Sequence, residues 1–285
     1  MVYFEKNSAT FGLEIGHPNF KIVHQEATEF QEILIGETQR YGRALFLGGV
    51  IQSTQVDEAI YHEMLVHPVI AHAKTARNIL VAGAGEGASL RELLKYKSVT
   101  KIDAVEIDGG MISAARNHLS EWHCGAFDDA RVTVYEADIF EHLNVVGADA
   151  YDCIIVDLTD PIDADGEFYA DSLTFKPAFL DLLQSALRAG GCIVMQAGER
   201  LAALGGMLPT LEQRFTWVQP YSVFVPSFHS NWAFLLLADE DKTAGDPTDS
   251  TALVGQDALP CRYFSELAFA HAAEQADRFF KAQSS

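Results

Sequence analysis

Along the middle of the chain, segments with the hydrophobic pattern of a strand alternate with segments that have the pattern of a helix. Apolar runs of four or five residues, typical of buried strands, are separated by longer stretches with apolar residues at helical spacing. The predicted strands span residues 78–82, 102–105, 132–135, 153–156 and 192–195, and the predicted helices between them span 88–97, 110–119, 140–143 and 176–187. This order predicts an α/β fold in which helices cover both faces of a parallel sheet.

The first 56 residues show a different pattern, in which apolar and polar residues alternate at every other position. Alternation of this kind, with turn residues near 36–38 and at 48–49, predicts a small antiparallel unit of β-hairpins. We therefore expect an N-terminal β-hairpin domain over residues 1–56 and a larger domain over residues 57–285.

Four further elements flank the central alternation. A helix over residues 56–73 is expected to bend or stop near Pro68, because proline lacks an N–H group and clashes with the preceding turn. The others are a helix over 201–215, a strand over 232–238 and a final helix over 264–282.

The stretch from 78 to 108 predicts a nucleoside-binding βαβ unit. Three glycines between positions 83 and 87 follow the first apolar run and let the backbone turn tightly beside a ligand. Glu106 follows the second run about twenty residues later, where a carboxylate can accept hydrogen bonds from ribose hydroxyls. Because Glu86 within the turn would repel a phosphate, we expect an uncharged or cationic nucleoside such as an S-adenosyl sulfonium.

Carboxylates recur where the predicted strands end. Glu106, Asp138 and the pair Asp157 and Asp160 follow the second, third and fourth strands. A single carboxylate at such a place often caps the next helix, but four at one rim repel one another, and a bound cation offsets that cost. The acidic segment 163–171 is either a lid over this cleft or a solvated loop.

Composition narrows the classes of partner and ligand. Lys and Arg number 20 and Asp and Glu number 40, so the formal net charge is −20. This charge disfavours nucleic acid and attracts cations, although solubility alone would also explain it. The histidines at 62, 67 and 72 do not share one helix face, and the four cysteines contain no CxxC pair, so we expect no metal site.

The location of the protein is predicted from what the sequence lacks. No basic stretch followed by an apolar run opens the chain, and no apolar segment reaches eighteen residues. Two of the four cysteines fall in apolar strands and are interpreted as reduced core thiols. We expect a cytoplasmic protein without a membrane span.

Six segments carry a resemblance to a known family. They read LFLGGVIQSTQVDEAIYHEMLVHP, GAGEGASLRELLKYKSVTKIDAVEID, DDARVTVYEADIFEHL, YDCIIVDLTDPI, VPSFHSNWAF and CRYF, and they cover nearly the whole chain in order. Together they resemble the polyamine aminopropyltransferases, which are the spermidine, spermine and thermospermine synthases. The resemblance implies a methyltransferase-like Rossmann domain behind an N-terminal β domain, and a homodimer or homotetramer.

The resemblance also implies the reaction. Enzymes of this family move the aminopropyl group of decarboxylated S-adenosylmethionine onto a polyamine amine and release methylthioadenosine. Decarboxylated S-adenosylmethionine is a co-substrate, so no cofactor and no metal are expected. Two other interpretations stay open, namely an S-adenosylmethionine-dependent methyltransferase and a catalytically silent polyamine-binding protein.

Each candidate site residue receives a role from the same resemblance. Asp157 corresponds to the catalytic base and Asp160 to its companion on the polyamine. Tyr61 and His62 would face the acceptor, although His62 could instead be a buried structural histidine. On the same side Glu86 would bind the aminopropyl ammonium group. The nucleoside would be bound by Gln31, Gln52, Glu106 on the ribose and Asp138 on the adenine amino group.

Departures from the family pattern bear on the acceptor. LGG at 47–49 stands where the family has LDG, and the acidic segment replaces the GPxE flap of spermidine synthases. Glu86 within GEG, DLTDP at 157–161, QAG at 196–198 and VPSF at 225–228 are more similar to thermospermine synthases. We therefore expect spermidine as the acceptor, giving thermospermine or spermine, with putrescine as the alternative.

Overall fold

The structure is a computed structural model that describes residues 1–6, 14–158, 176–199, 201–240 and 261–283. The strands are β1 (Tyr3–Phe4), β2 (Gly16–His17), β3 (Lys21–Ala27), β4 (Glu32–Thr38), β5 (Gly42–Leu47), β6 (Val50–Thr54), β7 (Asn78–Ala82), β8 (Lys101–Glu106), β9 (Val132–Glu136), β10 (Tyr151–Val156), β11 (Leu187–Gln196), β12 (Trp217–Val225) and β13 (Ser230–Ala238). The helices are α1 (Glu58–His72), α2 (Ala88–Leu94), α3 (Gly109–His118), α4 (Ser120–His123), α5 (Ile139–Val146), α6 (Pro177–Ala186), α7 (Leu208–Glu212) and α8 (Glu266–Gln283). Short 3₁₀ turns occur at Ala126–Asp128, Leu201–Gly206 and Pro226–Phe228.

A seven-stranded sheet lies at the centre of the α/β part, with the strand order β12-β13-β11-β10-β7-β8-β9. Strands β7 to β11 are parallel, and β13 runs antiparallel to both of its neighbours. The chain moves outward from β7 through β8 to β9 and then returns to β10 on the other side of β7. In open α/β sheets, ligands bind beyond the carboxyl ends of the strands at such a reversal.

Two apolar cores cover the faces of this sheet. Every residue of β10 is buried, and successive residues point to opposite sides. Ile155 belongs to the core formed with α1 and α2, whereas Ile154 belongs to the core formed with α5 and α6. Burial on both faces explains why these strands read as continuous apolar runs in the sequence.

The N-terminal residues form a four-stranded antiparallel sheet in the order β3-β4-β5-β6, beside the two-stranded pair β1 and β2. Hydrogen bonds join this sheet to the α/β part. The indole Nε1 of Trp122 donates to the hydroxyl of Ser53 at 2.9 Å, and Thr28 and Gln31 both donate to Asp108 at 2.9 Å. The antiparallel sheet therefore borders the carboxyl ends of the central strands.

The α/β fold and the strands predicted for its centre are confirmed. Of the two alternatives predicted at Pro68, the stop is wrong, because α1 continues to His72. Proline cannot donate to the carbonyl of Met64, but the hydroxyl of Tyr221 donates to that oxygen at 2.8 Å. A side chain from a distant strand thus replaces the hydrogen bond that the proline removes.

Three other details differ from the predictions. Residues 201–215 form a 3₁₀ turn and the short α7, because glycines at 205 and 206 and a proline at 209 interrupt one continuous helix. Strand β12 was not predicted, although it pairs with β13 over nine residues. The predicted turn at 36–38 lies within β4, where the ring of Phe20 covers Gly36 so closely that a Cβ atom would overlap it.

The cysteines match the sequence interpretation. Cys153 and Cys192 are buried in the paired strands β10 and β11, whereas Cys124 is exposed and Cys261 is half-buried. Among the described residues, no helix combines the length and the apolar character needed to cross a membrane.

Candidate active site

Asp157, Gly83 and Glu106 form one row at the carboxyl edge of the central sheet. The register of β10 with β7, and of β7 with β8, brings the ends of these three strands level. Since neighbouring strands lie about 4.8 Å apart, the α-carbons of Asp157 and Glu106 are roughly 10 Å apart. A ligand bound above Gly83 would therefore lie between two carboxylates.

Gly83 is required by its backbone conformation and by its neighbour. Its φ is +85°, in the left-handed region. A Cβ atom at this position would overlap the carbonyl oxygen of Asp157 and lie 2.7 Å from its carbonyl carbon. The glycine therefore allows the backbone of Asp157 to pack directly against the turn.

The Asp157 carboxylate is held by a side chain from α1. The hydroxyl of Tyr61 donates to Oδ1 of Asp157 at 2.5 Å. Burial raises the pKa of Asp157 to about 6, while the positive charge of His62 and the Tyr61 hydrogen bond partly oppose that rise. At neutral pH this residue is a carboxylate that accepts a proton more readily than an ordinary aspartate.

His62 lies next to Tyr61 on α1 and joins two carboxylates. Its Nδ1–H donates to the backbone carbonyl of Glu58 at 2.8 Å and to Oε2 of Glu58 at 3.1 Å. Its Nε2–H donates to Oε1 of Glu86 at 2.9 Å. Burial alone would lower the pKa of His62, but the hydrogen bonds to both glutamates raise it to about 10. His62 is therefore an imidazolium that orients Glu86 within the glycine turn.

The opposite side of the row contains the acidic residue predicted to bind ribose. Oε2 of Glu106 accepts from the N–H of Gly85, and Oε1 accepts from the N–H of Asp108, both at 3.0 Å. Burial raises the pKa of Glu106, although these backbone hydrogen bonds oppose the change. Gln31 reaches the same region because its amide donates to Asp108 at 2.9 Å.

The remaining predicted residues lie in three different settings. Asp138 caps α5 by accepting from the N–H of Phe140 at 2.7 Å, so it has the structural role that a carboxylate at a strand end often takes. Gln52 is an exposed residue of β6 whose amide donates to the carbonyl of Val50 at 3.4 Å. Asp160 and the acidic segment 163–171 lie outside the described residues.

Aromatic side chains border Tyr61 on the side of β13. The ring centroids of Phe228 and Trp232 lie 6.0 and 6.2 Å from that of Tyr61, and 4.8 Å from each other. Gln196 accepts from the indole N–H of Trp232 at 3.2 Å and donates to the carbonyl of Leu158. Aromatic faces beside carboxylates are suited to a ligand with methylene and ammonium groups.

Sequence reasoning missed two acidic residues that support this site. Asp108 caps α3 through the N–H groups of Gly110 and Met111, and an aspartate before two glycines at a helix start is a recognisable capping signal. Glu58 lies four residues before His62, and that spacing places their side chains together on one face of a helix.

Within the described part of the chain, one group of potential metal ligands comes together outside this cleft. Atoms of Glu63, His67 and Cys261 lie within 4.8 Å of one another. Both ring nitrogens of His67 are already bonded, to Tyr96 and Glu92. Burial raises the pKa of the Cys261 thiol to about 11. The two hydrogen bonds of His67 account for the orientation of its ring.

Comparison with known proteins places this geometry in a family. A model of the spermine/spermidine synthase domain matches residues 58–246, and a model of the spermidine synthase tetramerisation domain matches residues 1–55. Polyamine aminopropyltransferase 1 of Hyperthermus butylicus is 40% identical over 232 residues, which are 79% of this chain and 77% of the relative. The chain belongs to the spermine/spermidine synthase family. Polyamine aminopropyltransferase of Sulfolobus acidocaldarius is 38% identical over 226 residues, which are 78% and 73% of the two chains.

Solved structures of the spermine/spermidine synthase family have the same fold. A spermidine synthase in complex with the transition state analogue AdoDATO matches with a TM-score of 0.83 and 25% identity, over 96% of this chain and 91% of that chain. Spermidine synthase of Thermotoga maritima matches with a TM-score of 0.82 and 25% identity, over 96% and 90%. The protein is therefore an enzyme, a transferase of the polyamine aminopropyltransferase type.

Proposed function

We propose that this enzyme moves the aminopropyl group of decarboxylated S-adenosylmethionine onto an amine of spermidine, giving thermospermine or spermine and releasing methylthioadenosine. The observation that carries the proposal is two bonded pairs beside the glycine turn, Tyr61 with Asp157 and His62 with Glu86, which adjacent residues of α1 bring together. Both reactants are cations, and anionic side chains at one rim suit both of them. Putrescine as the acceptor, which would give spermidine, is the alternative.

The nucleoside of the donor is assigned to the ends of β8 and β9. Glu106 accepts hydrogen bonds from the ribose hydroxyls and Asp138 binds the adenine amino group, with Gln31 and Gln52 on the same side. Two backbone N–H groups fix the Glu106 carboxylate, which supports its role as a preoriented acceptor. No separate cofactor takes part, since decarboxylated S-adenosylmethionine is consumed as a co-substrate.

The acceptor is assigned to the side formed by α1 and the aromatic residues. Glu86 receives the aminopropyl ammonium group, and Asp160 assists Asp157 in holding the amine. The choice of spermidine is supported by GEG, DLTDP, QAG and VPSF, which resemble thermospermine synthases. The Phe228 and Trp232 rings beside Tyr61 offer an apolar surface for the longer methylene chain of that acceptor.

Transfer is a single displacement at the aminopropyl carbon that is bonded to sulfur. The acceptor nitrogen gives its lone pair to that carbon while the carbon–sulfur bond breaks, and sulfur keeps both electrons of that bond as a neutral thioether. The positive charge of the sulfonium passes to the new secondary ammonium group. Because the nitrogen needs a free lone pair, one proton must first leave the acceptor ammonium.

Asp157 is the group that receives this proton. The acceptor ammonium has a pKa near that of lysine, about 10, whereas an ordinary aspartate has a pKa of about 4. Since burial raises the pKa of Asp157 to about 6, the gap narrows by about two pKa units and proton transfer becomes roughly 100-fold more favourable. Positioned general bases contribute about 10²–10⁴ to a rate.

Turnover with three candidate acceptors tests the proposed function. The protein is incubated with decarboxylated S-adenosylmethionine and with putrescine, spermidine or spermine, and products are identified by mass. We expect a tetra-amine from spermidine together with methylthioadenosine. Product from putrescine alone would establish the alternative acceptor, and methylated product from intact S-adenosylmethionine would establish a methyltransferase. Binding of polyamine without turnover of any donor would indicate a silent binding protein.

The pH dependence of turnover reports on Asp157. We expect kcat/KM to fall as pH drops through about 6, because protonated Asp157 cannot accept a proton from the acceptor. Tyr61→Phe removes a hydrogen bond that lowers the pKa of Asp157. The fall in kcat/KM on the acid side is therefore expected at higher pH in this variant than in the wild type. Tyr3→Phe, which removes a hydroxyl in the N-terminal pair of strands, is the control. An acid limb that stays in place in Tyr61→Phe would contradict this assignment.

We also propose a homodimer or homotetramer located in the cytoplasm. The match to a tetramerisation domain supports the assembly, as does β3, an edge strand with six exposed residues. The burial of Cys153 and Cys192 as core thiols in apolar strands supports a reducing compartment.

A further inference from the structure

The backbone of the segment CRYF, residues 261–264, is bound to α1 through the buried carboxylate of Glu63. Glu63 accepts hydrogen bonds from the backbone N–H groups of Arg262 at 2.7 Å, Tyr263 at 2.6 Å and Phe264 at 2.8 Å. Glu63 is fully buried, and hydrogen bonds to an ionised acceptor are stronger than neutral ones. The backbone of Arg262 is therefore fixed beside the helix that carries Tyr61.

From this position the side chain of Arg262 begins a series of bonds that ends in the cleft. Its guanidinium donates to Oε1 of Glu58. Oε2 of Glu58 accepts from Arg91 at 2.8 Å and from His62 at 3.1 Å, and His62 continues to Glu86 at 2.9 Å. Residues separated by 204 positions in the sequence are thus joined at the first turn of α1.

The orientation of Glu58 depends on how three cationic groups share its two oxygens. Because Arg262 occupies Oε1, Arg91 and His62 both bind Oε2. The side chain of Glu58 is only 4% exposed, so water cannot easily substitute for a lost partner. If Arg262 is removed, Oε1 becomes available to Arg91 or His62, so the carboxylate of Glu58 can turn. The ring of His62 then keeps its bond to the backbone carbonyl of Glu58 at 2.8 Å but loses the fixed side-chain partner at 3.1 Å that sets its orientation toward Glu86.

We propose that Arg262 is a positioning residue of the cleft, which acts through Glu58 and His62 to fix the carboxylate of Glu86 where the aminopropyl ammonium group of the donor binds. The identity of that ligand rests on the proposed function. The series of hydrogen bonds from Arg262 through Glu58 and His62 to Glu86 rests on the contacts alone. Arg262 acts from the surface, since its side chain is 56% exposed.

Arg262→Gln tests this role by comparing binding of the whole donor with binding of its nucleoside part, methylthioadenosine. We expect the KM for decarboxylated S-adenosylmethionine to rise about tenfold, which corresponds to the loss of one charged hydrogen bond. The Kd for methylthioadenosine should stay unchanged, because that product lacks the aminopropyl group. Arg262→Lys, which keeps the positive charge, should recover part of the loss. Arg278→Gln removes an exposed arginine of α8 that pairs with Glu274, and it should match the wild type.

Two outcomes of these kinetics would overturn the inference. Equal weakening of donor and methylthioadenosine binding would mean that the substitution loosens the protein generally. An Arg262→Gln enzyme with wild-type constants would mean that Glu86 is oriented without Arg262.

Nitrogen-15 spectra of the histidine side chains test the bonded series without substrate. The wild-type spectrum should contain a His62 imidazolium at neutral pH, identified by its absence in His62→Gln. We expect Arg262→Gln to shift both ring signals and Arg278→Gln to leave them in place. Shifted signals in a protein that never turns over decarboxylated S-adenosylmethionine would leave the series intact and reject the proposed function. Unshifted signals would reject the inference at any level of activity.

Discussion

Asp157→Asn is expected to reduce kcat by about 10²–10⁴-fold, because an amide cannot accept the proton of the acceptor ammonium. Asparagine has nearly the same size and can still accept the hydrogen bond from Tyr61. The Kd for methylthioadenosine should therefore remain close to the wild-type value. Single-turnover rates and calorimetric titration of methylthioadenosine measure the two quantities.

Asp152→Asn is a matched control at the other end of the same strand. Asp152 accepts from Thr75 and from the backbone N–H groups of Arg77 and Asn78, so its loss should lower stability and leave kcat of the folded enzyme unchanged. If Asp157→Asn retained wild-type kcat, the base would have to be another group.

Gly83→Ala is expected to lower the free energy of unfolding by about 2 to 5 kcal/mol and to inactivate the enzyme. A left-handed conformation costs a non-glycine residue about 1 to 2 kcal/mol, and a methyl group forced into a packed site costs about 1 to 3 kcal/mol more. The new methyl group overlaps the carbonyl of Asp157, so relief of the overlap must displace the residue that we propose as the base.

Gly125→Ala separates these two contributions. Gly125 has a φ of +82°, close to the +85° of Gly83, but a Cβ atom there would meet no atom within 4 Å. Its expected cost is therefore about 1 to 2 kcal/mol, from the conformation alone, with normal activity. Urea unfolding of both variants gives the comparison. Equal costs for the two alanines would show that the overlap with Asp157 contributes nothing.

Local patterns were sufficient to predict the central fold. The strand Asn78–Ala82 was predicted to the residue, since burial on both faces makes a short, purely apolar run. Glu106, Asp157 and the glycine turn were predicted to share one rim because the carboxyl ends of parallel strands lie at the same edge. These predictions needed only periodicity and chain direction.

Features that depend on distant partners could not be predicted in this way. The continuation of α1 past Pro68 depends on the hydroxyl of Tyr221, which is far away in the sequence. The pairing of Glu58 with Arg262 spans 204 residues and leaves no periodic signal. The protonation of His62 also required the structure, because a histidine alone in a sequence does not reveal that two glutamates flank it.

One helix supplies one side of the cleft, since Glu58, Tyr61 and His62 all lie within the first five residues of α1. Their spacing is set by the helical repeat, so no single loop movement can widen that wall without rotating the helix and withdrawing Tyr61 from Asp157. We therefore expect adaptation to longer or shorter amines to come from the neighbouring turn and strand start that carry Phe228 and Trp232 beside Tyr61, because turns tolerate changes in length.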